Sequence, residues 1–93
     1  YAHDQELEFK ATARRNKLLG LWAAELMGLT GEDAAEYANE VIRADFEEAG
    51  HEDVFRKVRG DFDARGIEQS DHQIRHKMEQ LLEDARLQIR SEA

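Results

Sequence analysis

Apolar residues recur at helical intervals along the whole chain. Between 71 and 90, Ile74, Met78, Leu81, Leu82, Ala85 and Ile89 follow the i, i+4, i+7, i+8 spacing of one buried stripe. Residues 52–65 carry Val54, Phe55, Val58 and Phe62 in the same manner, and residues 31–49 carry Ala34, Ala38, Val41, Ile42, Phe46 and Ala49. The first segment, 1–27, is uneven. Its second half holds Leu18, Leu19, Trp22, Leu26 and Met27, whereas its first half offers only Leu7 and Phe9 besides Tyr1 as large apolar groups. No run alternates with a period of two, so no sheet is predicted.

Glycines and caps divide these segments. Gly28, Gly50 and Gly66 are each followed shortly by helix-start chemistry. Thr30-Gly-Glu-Asp33 and Ser70-Asp-His-Gln73 both read as an N-cap with a box partner three residues on. Gly66 suits a left-handed C′ position, with Ile67 and Phe62 as the apolar pair of a Schellman stop. The pattern therefore predicts helices at about 1–27, 31–49, 52–65 and 71–90. The fold expected is all-α, a four-helix bundle with a long N-terminal helix that overhangs it. At 1.5 Å per residue the first helix is roughly 40 Å long, longer than the others. The expected core is Leu18, Trp22, Leu26, Val41, Ile42, Phe46, Val58, Phe62, Ile74, Met78, Leu81 and Leu82. Gly60 marks the third helix as the weakest, since glycine costs about 1 kcal/mol against alanine mid-helix. The division expected is an N-terminal arm, 1–17, and a four-helix domain, 18–93. The arm lacks a buried stripe, and residues 1–12 are expected to be only partly helical until they meet a partner.

Charge narrows the function. The 93 residues carry a net charge of −8, with a mean hydropathy of −0.78. The whole surplus lies in 29–55, where nine acids face Arg43 alone; the patch reads either as a solvated helix face or as a surface for a basic partner, and it repels nucleic acid and anionic lipid. Glu47 and Glu48 stand at the C-terminal end of the second helix, where the helix dipole disfavours anions. Cysteine is absent, which excludes disulfides and thiolate metal sites and suits a reducing compartment. The longest apolar run, Leu18–Ala24, is too short to span a membrane.

Candidate chemistry is sparse. His72 and His76 stand at i, i+4 with Glu79 a turn further, a spacing that can hold a metal, but a surface histidine pair is the better reading. His3 and His51 are isolated. No nucleophile with a base, phosphate loop or dinucleotide fingerprint occurs, so neither catalysis nor a cofactor is expected. Ala13-Arg-Arg-Asn-Lys17 is basic, yet Asp4, Glu6, Glu8 and Glu25 offset the arm's cations, which argues against nucleic-acid binding. The arm has two readings, a frayed terminus, the commoner case at chain ends, or an element that docks into a partner groove; on the second, Tyr1, Leu7, Phe9, Lys10, Arg14, Arg15 and Lys17 are its contact residues.

Several stretches resemble a known family. Phe9-Lys-Ala-Thr-Ala-Arg-Arg-Asn-Lys-Leu-Leu-Gly-Leu-Trp-Ala-Ala-Glu25 is similar to the central motif of the zeta-subunit ATPase inhibitors of alphaproteobacteria. So are Met27-Gly-Leu-Thr-Gly-Glu-Asp33, Ala44-Asp-Phe-Glu-Glu48 and Ser70-Asp-His-Gln-Ile-Arg75, in the same order along the chain. The resemblance implies a four-helix domain that binds the catalytic sector of the F-type ATP synthase, its alpha, beta and gamma subunits. It implies that ATP hydrolysis is blocked by an N-terminal helix wedged between subunits. It also implies a cytoplasmic location on the peripheral sector of the inner-membrane enzyme. A further N-terminal stretch is implied ahead of Tyr1, with Tyr1–Lys17 mapping beside the inhibitory tip. Two other readings remain open: a non-inhibitory helical adaptor docking through the acidic second helix, and a small-ligand module binding a nucleotide.

Overall fold

The computed structural model describes the backbone of residues 2–46 and 52–92, and the side chains of 4–46 and 52–92. All regular structure among them is helical: α1 Ala2–Leu26, α2 Gly31–Ala44, α3 Glu52–Arg65 and α4 Asp71–Glu92. The expected boundaries at Tyr1 and at Glu47–Ala49 lie outside the described residues, as does His51.

Two of the three glycine stops, at 28 and 66, form as Schellman motifs; Gly50 lies outside the described residues. Gly28 and Gly66 take φ of 78° and 69°, which only glycine adopts without strain. Leu29 N–H donates to the Ala24 carbonyl at 2.8 Å, and Ile67 N–H to Phe62 at 2.9 Å, the long bonds of that motif. The Ser70 box is reciprocal: Gln73 N–H donates to Ser70 Oγ at 3.0 Å, and Ser70 N–H to Gln73 Oε1 at 2.8 Å. The Thr30 box does not form. Thr30 is the N-cap residue, but its side chain makes no capping bond. The Asp33 and Ala34 amides go to the Thr30 carbonyl instead.

The main core gathers Leu19, Ala23 and Ala24 of α1 with Tyr37 and Val41 of α2, Val54, Phe55, Val58 and Phe62 of α3, and Ile74 and Met78 of α4. Trp22 is half-buried at its edge, its ring edge-on to Phe62 with centroids 5.7 Å apart. Gly20 allows α1 and α2 their closest approach: a Cβ there would lie 2.6 Å from Ala38 Cα. A polar network ties α2 to α3. Tyr37 Oη donates to Asp61 Oδ2 at 2.8 Å, and Lys57 Nζ bridges Asp61 at 3.0 Å and Glu40 at 2.9 Å. Burial, with the hydrogen bond to Asp61, pushes the Tyr37 phenol well above its ordinary range.

A second, smaller cluster extends the molecule. Ala11 packs on Ala85 and Ile89, with Leu7, Leu18 and Leu82 around them. α1 and α4 run antiparallel, so the N-terminal half of α1 lies along the C-terminal half of α4. α1 reaches beyond the end of α2, but α4 accompanies it. The overhang is therefore a two-helix prong and not a lone arm. The expectation that residues 1–12 are only partly helical is corrected for 2–12. The spacing Leu7, Ala11, Leu18 supplies a buried stripe whose signal is weak because alanine carries little bulk. α1 also runs without a break through residue 17.

The expected core needs two further corrections. Leu26 is 38% exposed and Phe46 is 73% exposed. A row at i+4 drifts by about 40° per step, so the row Leu18, Trp22, Leu26 runs from half-buried to exposed while Leu19, Ala23 and Ala24 hold the buried face. Phe46 leaves its stripe because α2 stops at Ala44 and gives way to a turn, with Phe46 N–H bonded to Arg43 O at 3.1 Å. Leu18, Ile42, Leu81 and Leu82 are half-buried.

Candidate partner-binding surface

The expected contact residues divide by the face of α1 they occupy. Phe9, Lys10 and Lys17 are exposed. Lys10 has a long, weak ion pair with Glu6 at 3.9 Å. Leu7 is half-buried under α4. Arg14 is turned to α4, where its guanidinium meets Glu92 at 2.8 Å and Gln88 Oε1 at 2.7 Å. Tyr1 lies outside the described residues. Arg15 is the correction among the seven. It is 1% exposed, with Nε donating to Asn16 Oδ1 at 2.7 Å. Burial lowers its pKa from the usual guanidinium value, and the charge of Asp45 opposes that. The helix turns Arg15 inward on the same side as Leu19, so it cannot present its charge to a partner.

The prong is held by charged pairs as well as by packing. Arg86 grips Glu8, at 2.6 Å and 3.2 Å to its two carboxylate oxygens. Together with Arg14–Glu92 this fixes α4 along the inner side of α1. The outer side, centred on Phe9, is left open. At the end of α2, Phe46 stands beside it: Phe9, Ala13, Ile42, Asp45 and Phe46 border one shallow cleft of about 40 Å³. Phe9 is 65% exposed there. Phe46 is the functional candidate that the sequence pattern assigned to the core. Its signal was the company it keeps, an aromatic set between Asp45 and the Glu47-Glu48 pair at a helix end.

Elsewhere the surface offers little chemistry. His72 and His76 stack with centroids 6.4 Å apart on the exposed side of α4. Among the described residues, no group of three or more metal-ligating side chains comes together. A cleft of about 280 Å³ opens beside Met78 and Leu82, but its charges answer one another. Arg75 spends both terminal nitrogens on Glu52, at 2.9 Å and 3.1 Å, and lies over the Phe55 ring at 3.9 Å. That pairing holds the Glu52 carboxyl below its ordinary pKa. No described helix is long and apolar enough to cross a membrane.

A protein with a structure determined by solution NMR is 52% identical to this chain, with a TM-score of 0.82 over 94% of this chain and 99% of that one. No curated protein matches. The family model described as ATPase inhibitor subunit zeta matches residues 1–88. The chain belongs to that family, the zeta-subunit ATPase inhibitors.

Proposed function

We propose that this protein blocks ATP hydrolysis by the F-type ATP synthase by lodging the N-terminal half of α1 among the alpha, beta and gamma subunits of the catalytic sector. The observation that carries the reading is Phe9, a large aromatic held 65% exposed on a helix that α4 braces from behind. Burying such a ring in a partner is worth about 1.5–3 kcal/mol. Lys10 and Lys17 are also exposed, about a quarter turn round α1 from Phe9, and supply charge beside it, while Arg14 is engaged with α4. Residues 1–17 make the inhibitory contact, and 18–93 form the handle that positions it.

No chemistry is asked of the inhibitor. A rotary enzyme must open and close each catalytic interface in turn. A helix that binds one of those states better than the others shifts the population toward it and halts the cycle. The protein acts on the peripheral sector, on the cytoplasmic side of the inner membrane.

The test is ATP hydrolysis by purified catalytic sector, titrated with the chain. Phe9→Ala combined with Lys17→Ala should lower potency by about tenfold or more while the melting temperature stays within about 2 °C, since neither side chain supports the core. Equal potency of the double variant and the parent would refute the placement of the contact on α1.

A further inference from the structure

His72 and His76 are four residues apart on α4, a spacing at which helical side chains are neighbours, with Cβ atoms about 5–6 Å apart. Spacing alone does not say whether the two rings meet. In the structure they do. The imidazoles lie nearly parallel, with 22° between their planes and centroids 6.4 Å apart, and both are exposed. Neither ring makes a hydrogen bond or ion pair with another described residue. The flanking polar groups are turned to other partners. Asp71 pairs with Arg59 at 3.2 Å, Gln73 closes the Ser70 box, Arg75 holds Glu52, and Lys77 Nζ lies 5.8 Å from the centre of the Trp22 ring. Two imidazoles are thus left side by side, facing solvent.

We infer that His72 and His76 together chelate a divalent transition-metal ion of the copper and zinc kind, with water in its remaining positions. The site lies toward the other end of α4 from the prong, with His76 roughly 24 Å from Glu92 at 1.5 Å per residue. It is independent of the contact proposed for α1.

The donor set selects the ion. Imidazole suits copper, nickel and zinc, whereas magnesium and calcium ask for oxygen ligands. No cysteine is present to favour a softer ion. Among the described residues no third ligating side chain joins the pair, so the site is open and its ion exchangeable, unlike a closed structural centre. Geometry favours chelation over two separate encounters. Nitrogens bound to one zinc ion, each about 2.0–2.1 Å from it, lie within about 4 Å of each other. Rotation of two exposed side chains brings the rings to that separation with no movement of the helix. Once one imidazole is bound, the helix holds the other at a high effective concentration. The positive start of the helix dipole opposes a cation at His72, and the net charge of −8 favours one. Bound metal ties the first turn of α4 to the second and stabilises the folded chain.

Isothermal titration calorimetry with Cu²⁺, Zn²⁺ and Mg²⁺ tests this on the full chain carrying His3→Gln and His51→Gln, in which the pair supplies all the imidazoles. One ion per chain is expected, with Cu²⁺ bound more tightly than Zn²⁺ and Mg²⁺ not at all. The melting temperature should rise with Zn²⁺ and return with excess chelator. Adding His72→Gln or His76→Gln leaves a single imidazole and should weaken binding by about tenfold or more. Both rings are exposed, so the metal-free variants should melt with their parent. Adding Gln80→His to the His72→Gln chain re-creates a pair at the same spacing on exposed positions, and affinity should return. Affinity unchanged by either single substitution, or no greater in the paired chain than with both histidines removed, would overturn the proposal. So would one ion per two chains, which would make the ion a bridge between copies.

Discussion

Replacing Gly20 by alanine should destabilise the protein, against the helix propensity of the two residues. Alanine is favoured over glycine inside a helix by about 1 kcal/mol, and at an open site that gain would be realised. At Gly20 the added methyl would lie 2.6 Å from Ala38 Cα, 3.1 Å from Ala38 Cβ and 3.3 Å from Val41 Cγ2. The nearest atom is backbone, so no side chain can swing aside and the two helices must part by most of an ångström. A gap of that size forfeits a quarter to a half of the dispersion energy across the seam, here the contact of Leu19, Ala23 and Ala24 with Tyr37 and Val41. Overpacking of this kind costs about 1–3 kcal/mol. Net of propensity, the loss should reach up to about 2 kcal/mol, a fall in melting temperature of up to roughly 15 °C for a domain of this size. Gly60 provides the internal comparison. It lies mid-helix in α3 with nothing within 4 Å of a built Cβ, so Gly60→Ala should stabilise by about 0.5–1 kcal/mol. Thermal and urea unfolding followed by circular dichroism at 222 nm measure both. A Gly20→Ala protein stabilised as much as the Gly60→Ala one would refute the close-crossing argument.

Three further outcomes follow from the ion pairs and the buried phenol. Tyr37→Phe removes the donation to Asp61 and should cost about 0.5–1.5 kcal/mol. Because the phenol's folded pKa is raised, its contribution is intact below the ordinary value of 10 and is lost as pH rises beyond it. The variant's urea midpoint should therefore fall less steeply above pH 10, and parallel alkaline limbs would count against the network. Glu52 is the opposite case: Arg75 depresses its pKa, so its stabilisation is present above 4.5 and lost as pH falls through the depressed value. Glu52→Gln should make the acid limb below pH 4.5 shallower, measured by the same midpoint. Arg86→Ala severs the grip on Glu8. It should lower global stability by less than about 1 kcal/mol while raising amide exchange across residues 4–14, and unchanged exchange there would mean that packing alone holds the prong.

Much of the fold was legible because its signals are local. The glycine stops at 28 and 66, the Ser70 box and the α4 stripe each depend on residues within a turn or two of one another. What escaped depended on neighbours remote in sequence. Periodicity shows that Leu26 and Phe46 belong to apolar rows, but not which face of α1 the other helices choose, nor that α2 stops before Phe46. Charge rules place arginine outward, yet Arg15 is buried, because its position on α1 falls where α4 and Asp45 enclose it. The apparent arm misled for a related reason. The bulk of α1 alone does not show a core face there, because Ala11 becomes core only where Ala85 and Ile89 lie opposite. The candidate site was half visible: Phe9 stood out in a polar stretch, while Phe46 looked like core until the helix end was seen.

The paired helices of the prong have a consequence for how binding energy is spent. A peptide copied from residues 2–17 would have to order its backbone on contact, at about 1–2 kcal/mol per residue, and isolated helices of that length are marginal in water. In the intact protein α4 meets that entropic demand beforehand, so α1 arrives preorganised and nearly all of the energy from its exposed face can appear as affinity. Potency then becomes a property of residues that never touch the target. Ile89, Glu92 and Arg86, on the far side of the helix from Phe9, set how rigidly the blade is mounted, and substitutions among them can tune inhibition while the contact face keeps every atom it had.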